Sequence, residues 1–172
     1  MEQKQTNSDW ENRKEVKKGN IGEDIVMNYL HSNGFVLYKP ITDGSHKIDY
    51  FCHSGKDKQV ICAEAKTKRR MALRPATGFN IDSYNHYIEM KSKHNINTFI
   101  FFIDDFEKCV YGQWLHLLGD GIKIKEVIVW PLEKMKWIRS LNNIELKIIS
   151  ENTTVRYNYS KTVKYFSEFN IS

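Results

Sequence analysis

Apolar positions change their spacing several times along the chain, and each change marks an element. From Asp9 to about Ser32 they recur at helical intervals, with Ile21, Ile25, Tyr29 and Leu30 on one face. Asn33-Gly34 supplies a helix stop. Phe35 to Tyr38 reads as a short strand closed by Lys39-Pro40, and Lys47 to His53 and Lys58 to Lys66 as two strands joined by a Ser54-Gly55-Lys56-Asp57 hairpin turn. Thr67 to Gly78, basic and containing Pro-Ala-Thr-Gly, reads as a loop. A second helix is predicted from about Ile81 to His94, with Ile81, Tyr84 and Ile88 sharing a face. Thr98 to Ile103 is an almost unbroken apolar run, as expected for a central strand covered on both sides. Strands near Val110 to Leu117 and Ile122 to Trp130 follow, and Pro131 is expected to open a third helix to about Ser140. From Glu145 the pattern alternates weakly, and Tyr157, Tyr159, Tyr165 and Phe166 are assigned to no element. Met1 to Ser8 reads as a loose tail and residues 9–172 as one domain. The order of elements predicts an α/β fold, one central mixed β-sheet flanked by helices.

Composition narrows the class without naming a function. The chain has 172 residues, 41% hydrophobic and 27% charged, which is globular rather than disordered or fibrous. The excess of 26 basic over 21 acidic residues gives +5, a weak pointer to a polyanionic partner. Cys52, Cys62 and Cys109 form no C-x-x-C pair and have no zinc-like spacing with histidine, so reduced, partly buried thiols are expected. The N-terminal stretch is too polar for a signal peptide, and Phe99 to Ile103 is too short to cross a bilayer. A soluble, cytoplasmic protein without a membrane partner is the expectation.

The chemistry concentrates in Lys47-Ile48-Asp49-Tyr50-Phe51 and Ile61-Cys62-Ala63-Glu64-Ala65-Lys66. Alternate strand residues share a face, so Glu64 and Lys66 point one way while Ala63 and Ala65 point to the other, suited to packing against a helix. Buried charges cost several kcal/mol per ion unless they pair or bind metal. If the hairpin sets Asp49 beside Glu64, two carboxylates converge next to one ammonium. Two carboxylates and a backbone carbonyl can hold Mg²⁺, and a lysine beside them can orient or deprotonate an attacking water, which is what phosphodiester hydrolysis requires.

Asp49 followed by Glu64-Ala65-Lys66 resembles the D-x(n)-E-x-K motif of the PD-(D/E)XK, restriction-endonuclease-like superfamily. Gly22-Glu23 on the first helix is similar to the acidic position of archaeal Holliday-junction resolvases. The order helix, hairpin, E-x-K strand, helix matches the superfamily core over roughly the first hundred residues. Phe101-Phe102-Ile103-Asp104-Asp105 and Tyr111-Gly112-Gln113-Trp114-Leu115 look like uncharacterised phage and mobile-element proteins of that superfamily. Ile48, not proline, precedes Asp49. The resemblance implies a Mg²⁺-dependent nuclease, with Mn²⁺ able to substitute. Asp49, Glu64 and the Ala65 carbonyl would bind the metal, Lys66 would be the catalytic lysine and Glu23 an accessory acid. It implies nucleic acid as partner, DNA before RNA, and allows a homodimer.

Plainer readings stand beside these. Asp49, Glu64 and Lys66 could be a surface hairpin with a cross-strand ion pair, and Glu23 a solvated helix residue. Lys68, Arg69, Arg70 and Arg74 could contact phosphates or be a solvated basic loop. Lys14, Lys17 and Lys18 by default sit on an exposed helix face. Tyr84 and Ile88 read as core; His86 and Tyr87 could face the site, and His46 is a bystander near Asp49. Trp114, Trp130 and Trp137 most simply fill the core. The rival function is a non-catalytic nucleic-acid- or protein-binding module on the same fold, such as a counter-defence protein of a phage or plasmid.

Overall fold

The computed structural model describes residues 13–41, 47–56, 59–71 and 74–152. The expected tail at Met1 to Ser8, the aromatic residues from Tyr157 to Phe166, and His46 lie outside them. Helix α1 (Lys14–Ser32) ends where Gly34 takes a φ of +79°, as the Asn-Gly stop predicts. It is followed by β1 (Phe35–Tyr38), β2 (Tyr50–Ser54), β3 (Ile61–Lys68), β4 (Ala76–Asn80), α2 (Ile81–His94) and β5 (Thr98–Asp104). Then come β6 (Cys109–Trp114), α3 (Leu115–Leu118), β7 (Ile122–Ile124), β8 (Val127–Pro131), β9 (Lys136–Ser140) and α4 (Asn143–Asn152).

The central sheet is mixed, in the order β1-β2-β3-β5-β6-β9, with β3 and β5 parallel and the other pairs antiparallel. A parallel pair needs a long crossover, which β4 and α2 supply. Strand β5 is the expected apolar run, buried along nearly its whole length. On one face α1 and α4 pack Ile25, Val26, Leu30 and Ile149 onto Tyr50, Cys52, Ala63, Phe101, Ile103 and Val110. On the other, Cys62, Ile100 and Phe102 meet Phe79, Tyr87, Leu118, Ile128 and Trp130. Cys52 and Cys62 are on adjacent strands but in opposite core clusters, and all three cysteines are buried and free.

Four sequence expectations are corrected. The Thr67 to Gly78 loop loses both ends to strands: β3 runs on to Lys68, and Ala76–Asn80 pairs with β8. Gly78 is needed there, because a Cβ would fall 2.0 Å from the Ile128 carbonyl oxygen. The Ile122 to Trp130 strand is a hairpin, turned at Lys125 with φ +54°, and with β4 it builds a second, three-stranded sheet, β4-β8-β7, beside the central one. The C-terminal part of the Val110 to Leu117 strand is the short helix α3. The third helix is absent: Pro131 ends β8 and opens a single 3₁₀ turn, Leu132–Lys134, after which β9 pairs with β6. The proline ring fixes φ near −60° (−59° here), a value shared by strand ends and helix starts, so it cannot choose between them. Among side chains, Trp137 is 60% exposed on edge strand β9 and Ile88 is also exposed, so neither is core, whereas Trp130 is fully buried.

Gly22 fixes how α1 meets the sheet. A Cβ there would lie 1.5 Å from Thr67 Oγ1 and 2.9 Å from Thr67 Cβ, so the helix backbone lies directly on β3. Alanine would gain about 1 kcal/mol in helix propensity but overpack a β-branched residue in a strand, at about 1–3 kcal/mol. We expect Gly22→Ala to be net destabilising in urea unfolding and Thr67→Gly to rescue it; a neutral Gly22→Ala would contradict this close packing.

Candidate active site

The ladder between β2 and β3 pairs Tyr50 with Ala63, so the next step sets Asp49 opposite Glu64. There side chains replace part of the ladder. The Ala65 N–H donates to Asp49 Oδ2 at 2.7 Å, and the Asp49 N–H donates to Glu64 Oε2 at 3.3 Å. Lys66 Nζ donates to Glu64 Oε1 and also lies 6.0 Å from the Phe79 ring centroid. Glu64 is 3% and Asp49 7% exposed, while Lys66 is only half-buried. This is no surface ion pair: both carboxylates are buried, and Lys66 pairs with Glu64.

The electrostatics follow from that burial. Asp49 is pushed up from 3.8 to about 7, first by desolvation and then by the Glu64 charge; the Ala65 N–H and Lys66 oppose the rise, and Glu23 adds to it. A buried acid set beside a second buried carboxylate is the outcome. Hard oxygen donors in that condition fit a divalent cation, whose charge would offset both the burial and the carboxylate repulsion. Among the described residues, though, no set of three His, Cys, Asp or Glu side chains is close enough to hold a metal. The structure thus brings together Asp49, Glu64 and Lys66, with the Ala65 backbone between them, while Glu23 makes no three-acid group with Asp49 and Glu64. Glu23 follows Gly22 on α1 and is bridged by Lys39 at 2.8 Å, yet its charge still acts on Asp49 and Tyr50.

The basic run is not a solvated loop. Lys66 and Lys68 belong to β3, and Lys68 is lowered to about 8 by burial and then by the charges of Lys66 and Lys18. Arg69 stacks 4.4 Å from the Phe106 ring centroid. Arg70 donates to the fully buried Asp104 and reaches Glu107 at 3.4 Å and the Tyr111 hydroxyl at 3.3 Å, so its guanidinium ties the run to the end of β5. Arg74 is exposed. Lys14 and Lys17 are exposed as expected, but Lys18 is buried in an ion pair with Asp105. That anchoring role of Asp104 and Asp105 escaped the sequence reading. The available signal was two acids ending an otherwise apolar strand, which must find partners when buried.

Helix α2 covers the Glu64 side of the sheet, with Tyr84 half-buried against the Trp130 ring at 5.8 Å. Tyr87 is fully buried; His86 is half-buried with its ring 6.2 Å from that of Tyr87. A groove of about 490 Å³ lies elsewhere, at the N-terminal ends of β3 and β5, lined by Tyr29, Phe99, Trp114 and Trp137 among others; it contains none of the acids. Among the described residues no helix is long and apolar enough to cross a membrane.

No protein-family model matches the chain, and no curated protein matches it in sequence. Its fold is similar to a solved structure, Hjc of Archaeoglobus fulgidus, a Holliday junction resolvase from an archaeal hyperthermophile. The TM-score is 0.52 at 9% identity, covering 78% of this chain and 100% of that chain. At that identity the likeness is one of fold. The chain has the restriction-endonuclease-like α/β architecture that its D-x(n)-E-x-K resemblance implies.

The raised Asp49 has a consequence for stability. Below about pH 4 the acid is neutral whether folded or not and costs nothing. Between its ordinary value of 3.8 and about 7 the folded state retains a proton that the unfolded state has released, so stability falls as pH rises and the loss is complete above about 7. In the absence of divalent metal, Asp49→Asn should therefore melt higher than wild type at pH 8 and close to it at pH 4. A wild-type advantage at pH 8 would contradict the burial argument.

Proposed function

We propose that this chain is a metal-dependent nuclease acting on DNA, with its site at Asp49, Glu64 and Lys66. The observation that carries the reading is the buried carboxylate pair, with the half-buried Lys66 bonded to Glu64. Such a pair is costly to keep unless a cation is to be bound there. The restriction-endonuclease-like fold supports it, as does the similar structure, a Holliday junction resolvase. DNA is favoured over RNA on that likeness.

Asp49 and Glu64, with the Ala65 carbonyl, would hold Mg²⁺, or Mn²⁺ in its place. The bound ion would supply Lewis-acid stabilisation of charge on the phosphate and acidify the attacking water. Asp49 is oriented for this by the Ala65 N–H, and Glu64 by the Asp49 N–H. Lys66, the catalytic lysine of the proposal, leaves Glu64 to orient the attacking water and to hold or deliver a proton at Nζ. Glu23 is the accessory acid, drawn in from Lys39. Lys68, Arg69 and Arg74 would follow the phosphate backbone leading into the site, with Arg70 holding that segment in place.

One observation favours a second reading, a non-catalytic binder on the same fold: Glu23 is occupied by Lys39 and forms no three-acid cluster with Asp49 and Glu64.

Cleavage of plasmid, single-stranded and junction DNA and of RNA, each in Mg²⁺, Mn²⁺ and EDTA, separates the two. We expect metal-dependent cutting of at least one DNA substrate, reduced roughly 10²-fold or more in Lys66→Ala and in Asp49→Asn. Cutting that persists in either variant would sink the residue assignment. A folded protein that binds DNA in a salt-sensitive way but cuts nothing would favour the binder.

A further inference from the structure

The groove on the α1 face of the sheet has a floor made by a missing side chain. A Cβ on Gly112 of β6 would fall 2.5 Å from the Phe99 ring and 2.6 Å from Ile138 Cδ1. Tyr29, Phe101, Trp114 and Trp137 stand around that floor. Phe99 lies 4.8 Å from Phe101 and meets Trp114 edge-on at 5.1 Å, which fixes much of the aromatic wall. Trp137, by contrast, is 60% exposed on edge strand β9. At about 490 Å³ the concavity falls in the range of about 300–1,000 Å³ that takes up bulky ligand groups. Asn33, Gln113 and Lys136 also line it, so an aromatic body with a polar tip suits it better than a wholly apolar one.

The chain itself is led toward this groove. Helix α1 starts near the C-terminal end of β5, where Lys18 pairs with Asp105, and ends with Tyr29 6.0 Å from Phe101. Helix α4 starts at the same end, where the Leu141 N–H donates to the Lys108 carbonyl at 2.9 Å, and it packs against α1. Its last turn buries Ile149 in the same cluster as Leu30, Phe101 and Ile138, which also line the groove. The described residues end at Asn152, and 153–172 continue from there. Over Val155-Arg156-Tyr157-Asn158-Tyr159 apolar and polar positions alternate, so Tyr157 and Tyr159 would share one side of an extended chain. Extended chain from Asn152 to Tyr159 reaches roughly 20 Å, ample for a groove whose lining Ile149 already touches through its cluster.

We propose that residues 153–172 dock in this groove, with Tyr157 and Tyr159 against Phe99, Trp114 and Trp137 and their hydroxyls at the polar rim. The segment covers Trp137 and extends the cover of the sheet beyond the end of α4. None of Asp49, Glu64 and Lys66 lines the groove, so the inference stands apart from the nuclease reading.

The test is photo-crosslinking of the full chain with p-benzoylphenylalanine in place of Tyr157 and, separately, of Tyr159, the joined peptides being identified by mass spectrometry. We expect crosslinks within one chain to the peptides carrying Phe99, Trp114 or Trp137. Their yield should fall about threefold or more in Trp137→Ser, which alters an exposed side chain, and stay unchanged in Tyr38→Ser on the other edge strand. Crosslinks that join two chains would put a second copy in the groove and overturn the proposal. Crosslinks to other segments, none from either position, or a yield indifferent to Trp137→Ser would overturn it as well.

Discussion

Two carboxylates buried opposite one another where β2 meets β3, with Lys66 paired to Glu64, set the terms for what surrounds them. Glu64 lies on β3, directly beside the buried central strand β5. Asp49 sits at the point where β2 starts to pair with β3, and the ladder there gives way to bonds between backbone N–H groups and side-chain oxygens. The cost of such burial is several kcal/mol per ion, so a fold that keeps it does so for a purpose other than stability. Raising Asp49 toward neutrality is the visible sign of that cost.

The rest of the architecture fixes the surroundings of the pair. Gly22 lets α1 lie directly on β3, which brings Glu23 near enough for its charge to act on Asp49. On the opposite face α2 and the second sheet cover Cys62, Ile100 and Phe102, and Phe79 of that layer packs beside Lys66. At the far end of β5, Asp104 and Asp105 take up Arg70 and Lys18, so the basic segment after β3 leaves the sheet on a fixed course. Anchoring of that sort uses charge for placement, and it separates Arg70 from the exposed Arg74 in what each can do.

How far the sequence was legible varied with the range of the forces involved. Alternation in Ile61 to Lys66 set Glu64 and Lys66 on one face and Ala63 on the other, and α1 does cover Ala63. Helix α2 has the predicted bounds, because its spacing and cap are local. Failures came where a partner far along the chain decided. Lys136–Ser140 carries Met135 and Ile138 near it at helical spacing, yet hydrogen bonds to β6 draw it into a strand. Ala76–Asn80 has weak strand formers, and β8 pairs with it because small residues permit close approach. Lys18 resembled every other lysine of an exposed helix face until Asp105 was set against it.

By itself the sequence determined the identity and facing of the chemical groups: an acid at 49, an acid and a lysine alternating at 64 and 66, and the helix–hairpin–helix order around them. These follow from backbone geometry, whose period of two or 3.6 residues any chain must obey. Tertiary structure alone decided that the two acids are buried, that Glu23 rests with Lys39, and that Arg70 is an anchor. Burial and pairing depend on residues distant in the chain, and desolvation acts only once they meet. No local pattern encodes the dielectric around a side chain.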